Sequence, residues 1–408
     1  MSSSLTEISQ DDSAWLETLL QKFFHDNSIS RVVKLTKEDV GVKGDNYNSE
    51  IVRVTVEMIL NSGRKSKKTL IMKRALGVSI PMPVFKLEAT IYDKVVSELN
   101  ALMNEFQDPN DSVLCEMFGY EPNTTLVLED LKAKNFKVAD RRKQMDMNHS
   151  LLVLNSLGRL HGMSHVLLKR GTIGANDLGA DLVSPHNAYA PRILIGGFHQ
   201  MGLVMEEFWP PEWKEAGQKF VKFSKVVMEK INDIMINYPK DTFLVMNHGD
   251  CWTCNMMFKY CPYDETIPIA VKFFDLPFSS INSYIIDVVH FVYMCTRHEL
   301  RRQNLDILYR AYQKSLASTL EFYGMPGIAP TLEQVYAEAE RVKILEMFFA
   351  GILVAVTTGD IPGFRIEKAF IPCEAKEVFY ADVFKPEEFR KKIELDLKRW
   401  LKDGYLDC

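Results

Sequence analysis

The hydrophobic pattern of the chain changes its period once, near residues 129–131. Before that point, apolar and polar residues alternate in short stretches such as 52–58, which is the period of a half-buried β-strand. After it, apolar residues recur mainly at helical spacing over four segments, 151–168, 213–236, 305–323 and 332–356. The pattern therefore predicts an α+β fold, with a small antiparallel-sheet lobe followed by a larger, mainly helical lobe.

Local signals describe the small lobe further. The turn sequence Asn61-Ser62-Gly63 lies between two strand-like stretches and predicts a hairpin whose return strand covers 69–75. The basic run at 64–68 is then expected to be the solvated tip of this hairpin. A helix should follow, because apolar residues recur at every fourth position, Leu87, Ile91, Val95 and Leu99.

Composition excludes several classes of protein. Lys and Arg number 49 against 54 Asp and Glu, so the formal net charge is −5 and nucleic acid is not an expected partner. No stretch reaches about 18 uncharged apolar residues, and residues 1–12 lack the basic-then-apolar order of a signal peptide. The seven cysteines are irregularly spaced, which favours free thiols. We therefore expect a cytoplasmic protein without a membrane span, and we infer no obligate protein partner.

The sharpest motif is His248-Gly249-Asp250-Cys251-Trp252-Thr253-Cys254-Asn255, which follows a strand-like apolar run. A second apolar run downstream ends at Asp275. A His-x-Asp-x-x-x-x-Asn loop followed by a strand and an aspartate is the spacing of the protein-kinase catalytic loop and its metal-binding aspartate. The alternative is a buried loop in which Asp250 caps a turn and His248 is a core histidine. The combination with Asn255 and Asp275 favours the catalytic interpretation.

Phosphoryl transfer explains why these residue types occur together. A carboxylate beside the acceptor hydroxyl can orient it and accept its proton, and Asp250 would fill this role, with His248 in the same catalytic loop. Mg²⁺ prefers carboxylate, amide and phosphate oxygens, so Asn255 and Asp275 are the candidate metal ligands. The motif therefore predicts a phosphotransferase that uses ATP and Mg²⁺ and acts on a hydroxyl group.

Candidate nucleotide-binding residues lie upstream in the expected order. The turn with Gly41, Gly44 and Asn46 precedes the first long strand, and its small residues would let backbone N–H groups approach phosphates. The alternative for this segment is an ordinary turn. Lys73 lies in the return strand, where it would contact phosphates or be an exposed strand lysine. Glu88 on the next helix would pair with Lys73 or face solvent.

Over residues 35–355, these motifs resemble the ecdysteroid-kinase-like proteins. That group lies within the choline-kinase and aminoglycoside-phosphotransferase branch of the kinase-like fold. The resemblance implies a two-lobed protein-kinase-like fold with an N-terminal extension at 1–34, a nucleotide-binding lobe at 35–131 and a helical lobe with the catalytic and acceptor site at 132–408. It implies that Glu129 and Leu131 form a hinge whose backbone binds adenine. It also implies that Asp287 braces the catalytic loop, for which the alternative is an ordinary aspartate at a helix N-terminus.

The resemblance also implies a function: a small-molecule kinase that phosphorylates a hydroxyl of a lipophilic acceptor such as an ecdysteroid, a steroid-like or a xenobiotic alcohol. Its partner would then be a hydroxylated small molecule. Family members commonly follow the metal-binding aspartate with Phe-Gln, whereas Asp275 is followed by Leu276-Pro277. A catalytically weak pseudokinase or a small-molecule carrier that uses the same cleft is therefore the alternative.

Two further motifs allow more than one interpretation. Cys251 and Cys254 form a Cys-x-x-Cys sequence, but a zinc ribbon needs a second pair, and a thioredoxin-like site needs a helix directly after the first cysteine. We therefore do not expect a metal or redox role for them. The aromatic segment 208–213 would form either a wall over the acceptor or the start of a helix, and the sequence favours neither.

Overall fold

The computed structural model of the 408-residue chain describes residues 10–23, 29–40, 49–75, 84–121, 123–187, 189–359 and 377–407. The chain divides into two compact units. Unit 1 comprises Met1–Ser97 and Leu114–Lys137, and unit 2 comprises Glu98–Val113 and Val138–Cys408. The segment 98–113 thus groups with unit 2, although it lies inside the nucleotide-binding lobe expected at 35–131. The functional limits of the two lobes stay a prediction.

Unit 1 is built on one five-stranded sheet. Its strands are β1 (Ile29–Asp39), β2 (Ser49–Leu60), β3 (Lys65–Ala75), β4 (Met117–Glu121) and β5 (Thr125–Glu129). They are arranged in the order β1-β2-β3-β5-β4, and every neighbouring pair is antiparallel. The other elements are α1 (Gln10–Phe23), α2 (Val84–Thr90) with its π-helical continuation (Ile91–Val96), the start of α3 (Ser97–Glu105), a 3-10 helix (Leu131–Lys134) and β6 (Phe136–Lys137).

The alternating pattern of β2 places one face of the sheet in the core of unit 1. Every second residue of this strand is buried from Val52 to Met58, while the residues between them are half-buried. Leu16 and Leu20 of α1 pack into the same core, which also includes Leu70 and Met72 of β3. The predicted hairpin between β2 and β3 is confirmed, and its turn contains Gly63 in the left-handed region with φ +78°. The return strand begins at Lys65 and not at 69, so most of the basic run at 64–68 is paired with β2 and does not form the tip.

Unit 2 is mainly helical. Its helices are α4 (Met147–Arg170), α5 (Ala190–Glu207), α6 (Lys214–Phe223), α7 (Val227–Met235), α8 (Ile285–Met294), α9 (His298–Phe322), α10 (Leu332–Arg341), α11 (Lys343–Met347), α12 (Val354–Thr358) and α13 (Glu387–Lys402). A π-helical segment (Phe348–Leu353) joins α11 to α12, and short 3-10 helices cover Ala175–Asp177, Pro211–Trp213, Thr253–Asn255 and Ala381–Val383.

Two antiparallel strand pairs position the loops of unit 2. Strand β7 (Leu244–Asn247) pairs with β10 (Ser280–Ser283), and β8 (Met256–Cys261) pairs with β9 (Asp264–Phe273). The segment between β7 and β8 contains the catalytic-loop motif, and the segment between β9 and β10 begins just before Asp275. Both functional loops therefore start at strand ends.

Two of the helical segments expected from the sequence are divided in the structure, and the segment 332–356 contains α10, α11, a π-helical segment and α12. The pattern over 213–236 predicts a single helix, but α6 ends at Phe223 and α7 begins at Val227. Between them, the N–H groups of Lys225 and Val226 donate to carbonyls three residues earlier. These tighter turns interrupt the α-helical hydrogen bonds without changing which residues are apolar, so periodicity alone did not detect them.

The predicted fold class is confirmed. The chain is α+β, with a small unit that contains an antiparallel sheet and a larger, mainly helical unit, as expected for a two-lobed protein-kinase-like fold. Among the described residues, no helix combines the length and the apolar character needed to span a bilayer.

Candidate active site

In unit 1, Lys73 and Glu88 form a buried ion pair. Lys73 lies in β3, between Ile51 of β2 and Leu126 of β5, and Glu88 lies in α2. The Lys73 Nζ and a Glu88 carboxylate oxygen are 2.6 Å apart, and their side chains are 12% and 2% exposed. A charge-assisted hydrogen bond in a buried site holds the ammonium group in one position. The pair has the geometry predicted for a phosphate-contacting lysine and its positioning glutamate.

The predicted hinge is held by several hydrogen bonds. The Glu129 N–H donates to the Glu116 carbonyl at 2.9 Å, and the Glu129 carboxylate accepts the Glu116 N–H at 3.1 Å and pairs with Lys134. Asp130 caps the 3-10 helix that begins at the buried Leu131. The Glu129 side chain is therefore used inside unit 1, and an adenine contact would fall to the peptide groups that follow. Gly41, Gly44 and Asn46 lie outside the described residues.

In unit 2, the second residue of the catalytic-loop motif is a glycine that no other residue could replace without strain. Gly249 has φ +78°, and a Cβ placed on it would lie 1.9 Å from the carbonyl oxygen of Phe278. This separation is far below van der Waals contact, so the two segments approach this closely only because position 249 has no side chain. The loop geometry that presents Asp250 thus depends on Gly249.

Asp287 braces this loop from the first turn of α8. Its carboxylate accepts the N–H groups of His248 at 2.5 Å and Gly249 at 3.0 Å, and His161 Nε2 lies 3.2 Å from it. Burial by itself would raise the pKa of Asp287, but the hydrogen bond and charge of His161, the charge of His248 and the Gly249 N–H together lower the pKa below its usual value. Of the two alternatives left by the sequence, the structure supports the brace.

His248 connects the catalytic loop to the segment that contains Asp275. Its Nε2 lies 3.0 Å from the carbonyl oxygen of Phe274, which makes Nε2 the donor, and its Nδ1 accepts the N–H of Asp250 at 3.3 Å. Burial lowers the pKa of His248, which favours this neutral form. Both ring nitrogens are engaged within the protein, so the geometry is that of a residue that positions Asp250.

Asn255 is hydrogen-bonded directly to Asp250. The Asn255 amide nitrogen donates to the Asp250 carboxylate at 2.9 Å and to its backbone carbonyl at 3.0 Å. The backbone carbonyl of Asn255 in turn accepts the N–H of Phe274, the residue before Asp275, at 3.1 Å. Because the amide nitrogen is used in this way, the amide oxygen of Asn255 remains as the group that could bind a cation.

Burial and neighbouring carboxylates raise the proton affinity of Asp250. Asp250 is half-buried, and burial followed by the charge of Asp275 raises its pKa to about 8. A nearby cation would reverse this effect, since it favours the ionised form. Among the described residues, no group of three or more His, Cys, Asp or Glu side chains could hold a metal. The donor set of one amide and one carboxylate, Asn255 and Asp275, fits Mg²⁺, which retains water or phosphate ligands.

The region also contains residues that sequence reasoning did not identify. His161 of α4 contacts Asp287, which is 126 residues away in the chain, and its other nitrogen lies 2.8 Å from the Tyr312 hydroxyl. A histidine on the apolar face of a long helix gives no local signal of such a role. Only the packing of α4 against α8 and α9 reveals it.

The structure also describes residues of the two remaining motifs. Cys251 is buried, and burial raises the pKa of its thiol well above the ordinary value, which disfavours the thiolate needed for metal binding or redox chemistry. In the aromatic segment 208–213, the Trp209 and Trp213 rings are buried against each other, and Trp209 donates to the Phe384 carbonyl at 2.9 Å. These rings pack against the C-terminal part of unit 2.

Comparisons with known proteins give a family match and distant structural similarities. A family model described as "Ecdysteroid kinase-like family" matches residues 43–325. No curated protein matches the chain. Among solved structures, an ethanolamine kinase of Plasmodium vivax is 10% identical, with 88% of this chain and 84% of that chain covered and a TM-score of 0.37. The GDP and kanamycin complex of APH(2″)-IIia is 12% identical, with 83% and 99% covered and a TM-score of 0.35.

Proposed function

The chain belongs to the ecdysteroid kinase-like family, a membership that supports a small-molecule kinase, and we propose that it uses ATP and Mg²⁺ to phosphorylate a hydroxyl group of a lipophilic small molecule. The observation that supports this most directly is the catalytic loop, in which Asp250 is bonded to Asn255 and lies within electrostatic reach of Asp275. The acceptor class, an ecdysteroid or another steroid-like or xenobiotic alcohol, rests on the family alone.

Asp250 acts on the acceptor. Its carboxylate orients the alcohol and accepts the hydroxyl proton as the alcohol oxygen forms a bond to the γ-phosphorus. The bond between the γ-phosphorus and the bridging oxygen breaks, and ADP leaves with the electron pair. His248 positions Asp250 through its ring and backbone hydrogen bonds. Proton transfer of this kind contributes about 10²–10⁴ to the rate.

The phosphates would be bound by one side chain and by backbone groups. Lys73, fixed by Glu88, would supply a cation, and backbone N–H groups of the segment with Gly41, Gly44 and Asn46 would approach the phosphate oxygens. Asn255 and Asp275 would hold Mg²⁺. When bound, Mg²⁺ supplies positive charge that offsets the phosphates and favours the ionised form of Asp250. The hinge at Glu129 and Leu131 would bind adenine through its backbone.

The first prediction tests this assignment. The full chain is incubated with Mg²⁺ and radiolabelled ATP, and with a panel of acceptors that includes ecdysone, other hydroxylated steroids, sugars, choline and kanamycin. We expect transfer to an alcohol of the panel, and we expect Asp250→Asn to lower kcat by about 10²–10⁴ while ATP binding is retained. Asp264→Asn, an exposed aspartate of the β8–β9 hairpin, is the control and should leave transfer unchanged.

The alternative is a carrier or pseudokinase, favoured by Leu276-Pro277 after Asp275. Leu276 and Pro277 are both buried, so the two residues that depart from the family pattern are part of the packed interior next to Asp275 in the chain. A wild-type protein that binds ATP and a hydroxylated steroid but transfers phosphate to no acceptor would support the carrier and contradict the kinase.

A further inference from the structure

The segment that joins α4 to α5 is bonded to the loop that presents Asp250. The N–H of Leu182 donates to the Gly249 carbonyl at 3.3 Å, and the N–H of Gly179 donates to the Ser279 carbonyl at 2.7 Å. These bonds lie on the two sides of the close approach between Gly249 and Phe278. The joining segment is therefore held in a defined position beside the catalytic loop.

Tyr189 is the last residue of this segment, directly before α5. Its ring is buried, with 6% of the residue exposed, and meets the Phe278 ring edge-on at 5.7 Å between centroids. The Asn187 side chain accepts the Tyr189 N–H at 3.4 Å, and it also hydrogen-bonds to the Tyr189 hydroxyl. The orientation of the ring is thus set by packing on Phe278 and by the hydrogen bonds of Asn187 to the backbone and the hydroxyl of Tyr189.

The charged groups that act on the Tyr189 hydroxyl are those of the candidate site. Burial is the main cause that raises the pKa of Tyr189, and the charges of Asp250, Asp275 and Asp181 raise it further, although the hydrogen bond from Asn187 opposes this. The geometry agrees, because the Tyr189 ring packs on Phe278, whose carbonyl oxygen lies against Gly249, so the phenol lies beside the loop that presents Asp250. The phenol remains protonated at every physiological pH, so it is a permanent O–H donor there.

We propose that Tyr189 binds the acceptor, with its hydroxyl donating a hydrogen bond to the same alcohol oxygen whose proton Asp250 accepts. This inference deepens the proposed function and rests on it. An alcohol oxygen has two lone pairs and one proton. One lone pair attacks phosphorus, the other accepts the bond from Tyr189, and the proton points to Asp250. The proton of Tyr189 stays on Tyr189, and only the proton of the alcohol moves, to Asp250.

The surroundings of Tyr189 suit an uncharged, lipophilic alcohol. Phe278, which is half-buried, provides apolar surface next to the phenol. Asp181 is 2% exposed, and burial together with the charges of Asp287 and Asp250 raises its pKa well above the ordinary value, so it is not a free negative charge for a cation. The acceptor alcohol would then be recognised beside Asp250 through hydrogen bonds with uncharged groups and through contact with aromatic rings.

The test compares Tyr189→Phe with wild type in the full chain. The change removes only the hydroxyl and keeps the ring that packs on Phe278, so folding should be preserved. The acceptor is ecdysone, or the best-phosphorylated alcohol of the panel above if ecdysone is not used. We expect kcat/KM for the alcohol to fall about tenfold, as loss of one hydrogen bond predicts, while KM for ATP stays unchanged. Tm should fall only slightly, because Asn187 also loses its hydrogen bond to the hydroxyl.

Tyr405→Phe is the matched control. Tyr405 is 5% exposed, and its hydroxyl is bonded to Arg399 at 3.0 Å, so it resembles Tyr189 in burial but belongs to the C-terminal end of unit 2. It should leave kcat/KM for the alcohol unchanged.

Each outcome has a distinct meaning. If wild type phosphorylates the alcohol and Tyr189→Phe does so with the same kcat/KM, the inference is wrong and the proposed function stands. A variant that loses ATP affinity and Tm together would show a structural role and also contradict the inference. If wild type phosphorylates no member of the panel, the proposed function fails, and the role of Tyr189 fails with it.

Discussion

A single buried carboxylate, Asp287, connects three parts of unit 2. It accepts two successive backbone N–H groups of the catalytic loop and is contacted by His161 from α4. Hydrogen bonds from charged or polar groups to a buried carboxylate are strong, and an unpaired carboxylate there would be costly. The position of Asp250 therefore depends on residues that never touch a substrate.

At the same scale, Gly249→Ala should disrupt the catalytic loop. The methyl group would overlap the Phe278 carbonyl oxygen, so the loop must move, and we expect loss of phosphate transfer and a decrease of about 1–3 kcal/mol in the free energy of unfolding. Transfer assays and chemical denaturation measure the two effects.

Gly63→Ala separates the two causes of this effect. Gly63 has the same φ of +78° but no atom within 4 Å of an added Cβ. The free energy of unfolding of this variant should fall by only about 1 kcal/mol, the cost of a left-handed backbone at alanine, and phosphate transfer should be retained. Equal losses in the two variants would mean that backbone conformation, and not close approach, explains the role of Gly249.

At the scale of elements, the packing of α4 against α9 depends on small residues. A Cβ on Gly158 would lie 2.8 Å from the Ser315 Cβ, and one on Gly162 would lie 2.7 Å from the Thr319 methyl group. Helices whose facing residues are this small approach each other closely. Since α4 also contains His161, this packing helps to position the brace of the catalytic loop.

Gly158→Ala tests the helix packing. Alanine is the better helix former by about 1 kcal/mol, so a helix in isolation would gain stability. We nevertheless expect the free energy of unfolding to fall by about 1–3 kcal/mol, because the methyl group also meets backbone atoms of Tyr312 and Leu316 at 2.9 Å. Asn155→Ala, an exposed position of α4, is the control and should be neutral or stabilising in urea denaturation. A Gly158→Ala variant as stable as this control would contradict the close packing.

At the scale of the whole molecule, charge sets the conditions for nucleotide binding. The formal net charge is −5, and several carboxylates surround the catalytic loop, so bulk electrostatics opposes the approach of ATP. Under the proposed function, nucleotide binding would depend on local cations such as Lys73 of unit 1. Lys73 and Glu88 belong to unit 1, and Asp250, Asn255 and Asp275 belong to unit 2.

The stability of the folded chain at low pH is a second property of the whole molecule. Asp108 accepts hydrogen bonds from Arg159 at 2.8 Å and from Tyr323. Burial would raise its pKa, but these bonds and those from Asn110 lower it to about 2. Because the folded pKa lies below the unfolded value, Asp108 stabilises the fold above about pH 4, and this contribution is lost as the pH falls toward about 2.

Asp108→Asn should therefore change how stability depends on pH. Between about pH 5 and pH 3, wild type should lose about 1 kcal/mol more free energy of unfolding than the variant does. Denaturant titrations at the two pH values measure this difference. An equal loss in both proteins would show that Asp108 does not contribute to acid sensitivity. Asp306→Asn is the control. Asp306 is exposed and pairs with Arg310, so its substitution should leave the loss of stability between the two pH values almost unchanged.

The sequence alone determined the features that depend on neighbours in the chain. Alternation at 52–58 predicted a strand with one buried face, and Asn61-Ser62-Gly63 predicted the hairpin turn, because side-chain period and turn conformation are local properties. The spacing from His248 to Asn255 predicted a catalytic loop for the same reason. The pairing of Lys73 with Glu88 also followed from order, since the lysine lies on a strand and the glutamate on the helix that comes next.

Only the tertiary structure decided the contacts between distant segments. His161 meets Asp287 across 126 residues, and Tyr189 reaches the catalytic loop through packing on Phe278. It also decided the break between α6 and α7, where the apolar pattern continues but the hydrogen bonds change. Such features depend on which faces pack together. Periodicity shows that a face is apolar, but it does not show which surface will cover it.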